Sequence, residues 1–266
     1  MVMKRNVYLL LTSSIVLTLF FACHKEDPPI NEPETGSLII KFAHYVDGNP
    51  LIKDSMIYTN EAGNQYEVND LKYFISDVQL HKTDGTIVNI ADCNWSHYVD
   101  NDIASTLTWN ICDNITVGTY DSISFRFGIL SSKNISYMFV NPPEVNMQWP
   151  EMLGGGYHDM MLNGKWKDSI QQIENFNTHL GIGRVISGSD TSFVDNSFHV
   201  TLASSGFTMT KGVAKEIQII MNIESWFKTP YVYDHNHYGQ MIMENQTAMH
   251  IISANGFDVF TVGYIH

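Results

Sequence analysis

The stretch LIIKFAHYV, residues 38–46, decides the fold class. Every second residue in it belongs to one face: Leu38, Ile40, Phe42, His44 and Val46. A period of two is typical of a β-strand with one buried face. The turn signal Asp47-Gly48 follows the stretch, so the chain is expected to reverse direction there.

Other segments share this period or form short apolar runs bounded by turn residues. They are residues 71–81, 86–90, 123–129, 157–162, 176–182, 198–202 and 217–223. The best helical signal is residues 243–254, which Asn255-Gly256 would end. Many short strands joined by turns are typical of a sandwich. The sequence therefore predicts an all-β fold, an antiparallel β-sandwich with one short helix near the C-terminus.

The N-terminus predicts export. Lys4 and Arg5 precede an apolar run from Tyr8 to Phe21, which is the pattern of a secretory signal and is too short to span a membrane comfortably. Cys23 stands just after this run, so residues 1–22 are interpreted as a lipoprotein signal peptide and Cys23 as the lipidated residue. The alternative is an ordinary signal peptide with a chance cysteine, because Phe20 and Phe21 depart from the usual lipobox.

Residues 23–36 are polar, charged and rich in proline. Such a segment cannot bury enough apolar surface to fold, and its prolines stiffen it locally. We therefore interpret it as a tether between the lipid and one β domain at residues 37–266. The location expected is the cell envelope, as an outer-membrane lipoprotein that faces the periplasm or the surface.

The charge balance excludes one class of partner. Removal of Lys4 and Arg5 with the signal leaves 13 basic residues against 28 acidic ones, a net charge of −15 with histidine neutral. A chain this acidic, without a basic run, is a poor ligand for nucleic acid. It could attract cations, although solubility explains the same balance.

The sequence contains no familiar catalytic motif. Gly-x-Ser-x-Gly, His-Glu-x-x-His, the P-loop and the dinucleotide fingerprint are all missing, so we expect a protein without enzymatic turnover. Cys93 and Cys112 are the thiols that remain beside Cys23. An oxidising compartment permits a disulfide between them.

Histidine is the residue type that could carry chemistry, since imidazole binds copper, zinc, iron and nickel. His44 lies on the apolar strand face and is either a core residue that is hydrogen-bonded to backbone or a ligand. Trp95 and His97 share one face if their segment is extended. His179 points away from the face of its apolar neighbours, and His158 could face a site or solvent. The pair in His235-Asn236-His237 could chelate a metal, although a solvated loop is the simpler interpretation.

Five stretches together resemble a known family, the MbnP-like copper-binding proteins, whose relatives include the surface proteins MopE and CorA. The stretches are residues 38–51, 66–80, 124–129, 147–164 (MQWPEMLGGGYHDMMLNG) and 176–181 (FNTHLG). The resemblance implies a β-sandwich that binds one copper ion. It also implies Cu(I) held by histidines beside a kynurenine formed from tryptophan, and a di-haem partner of the cytochrome c peroxidase type.

The resemblance suggests site residues as well. His179 matches the family's His-Leu-Gly histidine, and Trp95 and His97 have the spacing of a modified tryptophan and a ligand. His44 is added as a further candidate ligand, so the expected copper site is His44, His97 and His179, with Trp95 modified. The alternative function is an interaction or glycan-binding lipoprotein with structural histidines, which would use exposed aromatic residues within 226–238.

Overall fold

A computed structural model describes residues 33–90 and 94–266. Most of the regular structure is strand, which confirms the all-β prediction. The first sheet has five strands: β1 (Thr35–Val46), β2 (Asn49–Pro50), β7 (Thr108–Thr116), β15 (Ala214–Asn222) and β16 (Phe260–Ile265). Its order is β16-β15-β1-β2, and β7 also pairs with β1.

The second sheet has nine strands, in the order β10-β9-β4-β8-β13 with four short strands attached to β4 and β8. They are β3 (Tyr58–Thr59), β4 (Gln65–Lys82), β5 (Ile87–Asn89), β6 (Ser96–Asp100), β8 (Gly118–Phe127), β9 (Met160–Lys167), β10 (Ile173–Leu180), β13 (Phe198–Leu202) and β14 (Phe207–Met209). A separate hairpin consists of β11 (Gly183–Ser187) and β12 (Asp190–Val194).

One strand pair departs from the predicted antiparallel arrangement. β1 and β15 run parallel over Ser37–Tyr45 and Ala214–Asn222, whereas the other named strands pair antiparallel in the described residues. Two strands so distant in sequence can pair either way, because no short turn fixes their direction. Strand β1 also begins at Thr35, two residues before the predicted start of the domain.

Helices are few and short. The predicted C-terminal helix is α2 (Gln246–Asn255), capped by the Asn245 side chain, which accepts from the Ala248 amide. A single turn, α1 (His235–Tyr238), lies within the segment expected to be a loop. The 3₁₀ turns are Ala104–Leu107, Glu144–Met147, Glu151–Leu153, Ile223–Phe227 and Gly256–Asp258. No helix in the described ranges is both long and apolar enough to cross a bilayer.

The main core lies between the two sheets. The predicted inner face of β1 is buried at every second residue, and Phe42 on β1 meets Tyr73 on β4 at 6.2 Å between ring centroids. Phe125 on β8 and Phe260 on β16 make a similar contact at 5.2 Å. Aromatic contacts between strands of different sheets are what a sandwich requires.

A smaller apolar cluster, the outer cluster, is separate from the main core. Its buried members are Phe74, Tyr98, Ile129, Met147 and Tyr157. Residues 128–159 connect β8 to β9, so the outer cluster joins this long connection to β4 and β6. The connection is fixed by Asn134, whose side-chain amide donates to the Tyr157 carbonyl and whose oxygen accepts from the Tyr157 amide. The candidate site lies where this connection ends.

Candidate metal centre

His44 is a core residue with both ring nitrogens in use. Nδ1–H donates to Asn101 Oδ1 at 2.6 Å, and Nε2 accepts from the Tyr73 hydroxyl at 3.1 Å. Burial lowers the pKa of His44 to about 4, so the ring is neutral at pH 7. Each nitrogen of His44 already has a partner, as the core interpretation of this residue requires, although the partners are side chains and not backbone.

His97 is also held by local contacts. Its ring stacks on Trp109 at 5.0 Å and on Phe42 at 5.8 Å, and Nε2–H donates to the Thr106 carbonyl. Trp95 packs instead against the outer cluster. Strand β6 begins at Ser96, and the Trp95 carbonyl just before it accepts from the Asp77 amide at 2.9 Å.

His179 lies beside His158, a residue whose environment the sequence left open. The two rings are 5.0 Å apart at 81°, and we call them the histidine pair. His179 is on β10, where Phe176 and Leu180 point into the main core. His158 ends the long connection that precedes β9, and its backbone amide donates to the Met147 carbonyl. The structure thus brings together two histidines that are 21 residues apart in sequence.

Each ring of the histidine pair has one bonded and one free nitrogen. His158 Nδ1 lies 2.8 Å from the Met147 carbonyl, which can only accept, so Nδ1 carries the proton. His179 Nε2 lies 2.8 Å from Asn163 Oδ1 and donates to it. The other nitrogens, His158 Nε2 and His179 Nδ1, are buried and have no hydrogen-bond partner among the described residues. Each of these two nitrogens therefore carries a lone pair and is shielded from solvent.

Both rings of the histidine pair are neutral at pH 7. Burial lowers the pKa of His158 to about 4. Burial, and then the neighbouring His158 and Lys72, lower the pKa of His179 to about 3. Unpaired lone pairs in a buried place cost free energy unless something binds them. The pair consequently has the protonation state that a metal ligand needs.

Trp149 is in contact with the histidine pair. Its ring lies 4.7 Å from that of His158 at 80°, and its Nε1–H donates to the Leu153 carbonyl at 3.3 Å. Gly181, just after β10, also lies against this indole. A Cβ there would lie 2.7 Å from Trp149 Cε3, so this glycine is needed for the close approach.

The three histidines expected from the sequence do not form one metal site. In the described ranges, one group of three His, Cys, Asp or Glu ligands has all its ligand atoms within 4.8 Å, and it consists of Asp70, Asp100 and Asp102. Lys72 pairs with Asp70 and Lys53 with Asp102, so this group is partly neutralised. Sequence reasoning missed His158 and Trp149 as site residues, although both lie in the quoted stretch 147–164.

The remaining predictions concern the cysteines and the segment 226–238. Cys112 is disulfide-bonded, while Cys93, Cys23 and the signal peptide lie outside the described residues. The aromatic surface of the alternative function is reduced, because Trp226, Phe227 and Tyr233 are at most 1% exposed, whereas Tyr231 is 46% exposed. His235 is fully buried as well, which rules out the solvated loop expected for it.

The comparisons with known proteins agree with this fold. The structure is similar to that of MbnP from Methylosinus trichosporium, with a TM-score of 0.51 over 75% of this chain and 80% of that chain. The sequences are 14% identical, so this likeness concerns the fold alone. No curated protein sequence matches the chain. The MbnP family model matches residues 35–247, and the chain therefore belongs to the MbnP family.

Proposed function

We propose that this chain binds one copper ion, as Cu(I), through His158 Nε2 and His179 Nδ1, without catalytic turnover. The family is associated with copper handling. The main support is that these two imidazole nitrogens are buried and that their lone pairs have no partner among the described residues. Neutral imidazole is a normal copper ligand.

The number and type of donors favour Cu(I) over other metals. Structural zinc takes four ligands and Cu(II) prefers a tetragonal set. Neither His158 nor His179 belongs to a group of three His, Cys, Asp or Glu ligands in the part of the chain that is described. A monovalent ion also brings less charge into a buried site than a divalent ion does. These residues fit Cu(I) better than they fit zinc or Cu(II).

Trp149 is the tryptophan best placed for the modification that the family resemblance implies. Its indole contacts His158, whereas Trp95 packs in the outer cluster beside Lys133. We therefore propose Trp149, in preference to Trp95, as the residue converted to kynurenine. A di-haem partner of the peroxidase type remains part of the proposal, and its support is the family resemblance.

The test measures copper bound per chain after metal-free protein is loaded with Cu(I). We expect one copper in the wild type and a loss of at least tenfold in affinity for His158→Ala and for His179→Ala. The matched control is His97→Phe, which preserves the stacking on Phe42 and Trp109 but removes a predicted ligand. Full binding by the two alanine variants, or loss of binding in His97→Phe, would overturn the assignment.

The envelope location is also proposed, on the support of the sequence. The apolar run that ends at Cys23 and the polar tether after it favour a lipid anchor on an envelope membrane. In that place an acidic domain can reach copper outside the cytoplasm.

A further inference from the structure

A chain of polar contacts leads from His179 across two neighbouring strands. His179 Nε2 donates to Asn163 Oδ1 at 2.8 Å, and Asn163 Nδ2 donates to Asp70 Oδ2 at 3.1 Å. Lys72 Nζ lies 2.8 Å from the same Asp70 oxygen. Asn163 is on β9 and Asp70 on β4, where they are direct register partners.

The backbone of β4 is irregular at this point. The register between β4 and β9 shifts between Val68 and Asp70. Such irregularities re-aim side chains and are frequent beside functional sites. Here the shift places the Asp70 carboxylate opposite the Asn163 amide, in reach of a hydrogen bond.

The direction of the Asn163 amide determines which nitrogen of His179 is free. An asparagine side chain can accept through its oxygen or donate through its nitrogen, whereas a carboxylate only accepts. Asp70 therefore requires the NH₂ end of Asn163, which leaves the oxygen for His179. An oxygen at that position requires a proton on His179 Nε2, and Nδ1 is then left with its lone pair.

The neighbouring charges support the same amide direction. Carboxylate oxygens of Asp100 and Asp102 lie within 4.8 Å of that of Asp70, so the acceptor of the Asn163 NH₂ group belongs to a cluster of carboxylates. Lys72 is the cation that fixes Asp70 in this position. Without Asp70, the amide could turn over and donate to Nε2, which would move the proton to Nδ1 and block the nitrogen proposed to bind copper.

We propose that Asn163 and Asp70 are positioning residues that select the copper-binding tautomer of His179. This inference rests on the proposed copper function. Metal-ligating histidines commonly bond through their second nitrogen, and loss of such a partner typically lowers metal affinity by about 10–100-fold. In this chain the selection depends on two residues, because an amide alone has no preferred direction.

The first arm of the test observes the tautomer without copper. Ring ¹⁵N shifts of His179 in metal-free wild type should show the Nε2–H form. Asp70→Asn replaces the acceptor by a second amide, and should give a mixture of the two tautomers. The control is Asp102→Asn, which removes a charge from the same carboxylate group, makes no bond to Asn163, and should leave the tautomer unchanged.

The second arm measures Cu(I) affinity by competition with a chelator. We expect Asp70→Asn to lose about 10–100-fold. The exchange variant Asp70→Asn with Asn163→Asp should recover both the Nε2–H tautomer and most of the affinity, since a carboxylate at position 163 can only accept. A merely structural role of the Asp70–Asn163 contact would change stability and leave the tautomer of His179 the same in all these variants.

The outcomes separate the inference from the function on which it rests. A pure Nε2–H tautomer in Asp70→Asn, or no recovery in the exchange variant, overturns the inference while copper binding by the wild type stands. If the wild type binds no copper, the proposed function itself is wrong, whichever tautomer the spectra show.

Discussion

At the scale of the residue, the buried histidines differ in what their nitrogens contact. Both nitrogens of His44 have partners, and each ring of the histidine pair has one. His235 has none among the described residues, although its ring stacks on Phe176 at 4.4 Å. Hydrogen bonding, and not burial, therefore distinguishes His44 from the histidine pair, whereas His235 is held by ring contacts alone.

Opposite stability effects are expected for His235→Phe and His44→Phe. The first keeps the aromatic stacking and removes two unpartnered polar atoms, so it should raise the free energy of unfolding by about 1–2 kcal/mol. The second leaves the Tyr73 hydroxyl and Asn101 without their partner and should lower it by about 1–3 kcal/mol. Urea denaturation at pH 7 measures both, and equal signs would contradict this account of the two rings.

The same His235 variant should change the pH dependence of stability. Burial lowers the pKa of His235 to about 3, against about 6.5 in the unfolded chain. Below pH 6.5 the unfolded state takes up a proton that the folded state refuses, so this residue destabilises the fold as pH falls. The stability advantage of His235→Phe over wild type should grow by about 2 kcal/mol from pH 7 to pH 5. A constant difference would show that His235 is protonated in the folded protein.

The sequence could predict that a histidine is buried, but not which of its ring nitrogens forms a hydrogen bond. The alternation in residues 38–46 placed His44 inside, and the structure agrees. The free nitrogen of His179 depends on Asn163, and that of His158 on the carbonyl of Met147. Such partners come from other strands and turns, and no local pattern shows which ring atom they use.

At the scale of the element, the turn after β10 and the connection that carries Trp149 fit closely. Gly181→Ala should displace the indole of Trp149 from its present contact with His158, because the new Cβ would lie 2.7 Å from Trp149 Cε3. We expect a loss of about 1–3 kcal/mol in stability and a changed near-ultraviolet circular dichroism signal. Adding Trp149→Phe, a smaller ring, should recover part of the lost stability. Simple additivity of the two changes would contradict a clash at this position.

Periodicity predicted the strands better than their pairing. The period of two located most of the long strands, since each buries one face. It did not predict that β1 and β15 are parallel, because direction depends on contacts between distant segments. The turn at His235–Tyr238 was missed for a related reason: one helical turn is too short to show a period.

At the scale of the whole molecule, the family resemblance predicted the fold better than it predicted the candidate site. The order of five stretches predicted the sandwich, and the family model matches over residues 35–247. The site could not be predicted as well, because the stretches show which segments are present and not which side chains meet. The motif made His179 a candidate ligand, whereas His158 became one only through the folded connection that brings it to β10.

The anchor is tested on the full chain in a bacterial host. Cys23→Ala should move the protein from the membrane fraction to the soluble envelope fraction, because lipid on this cysteine is the proposed attachment. Copper bound per chain should not change, since Cys23 lies outside the domain that carries the histidine pair. Membrane retention of Cys23→Ala would contradict the lipoprotein interpretation.

Anomalous diffraction at the copper edge would locate the ion that we propose His158 and His179 bind. Crystals of protein loaded with Cu(I) should give one strong anomalous peak, bonded to His158 Nε2 and His179 Nδ1 and adjacent to Trp149. A peak at His44 or His97, a peak at the Asp70 carboxylate group, or no peak in copper-loaded crystals would contradict the account.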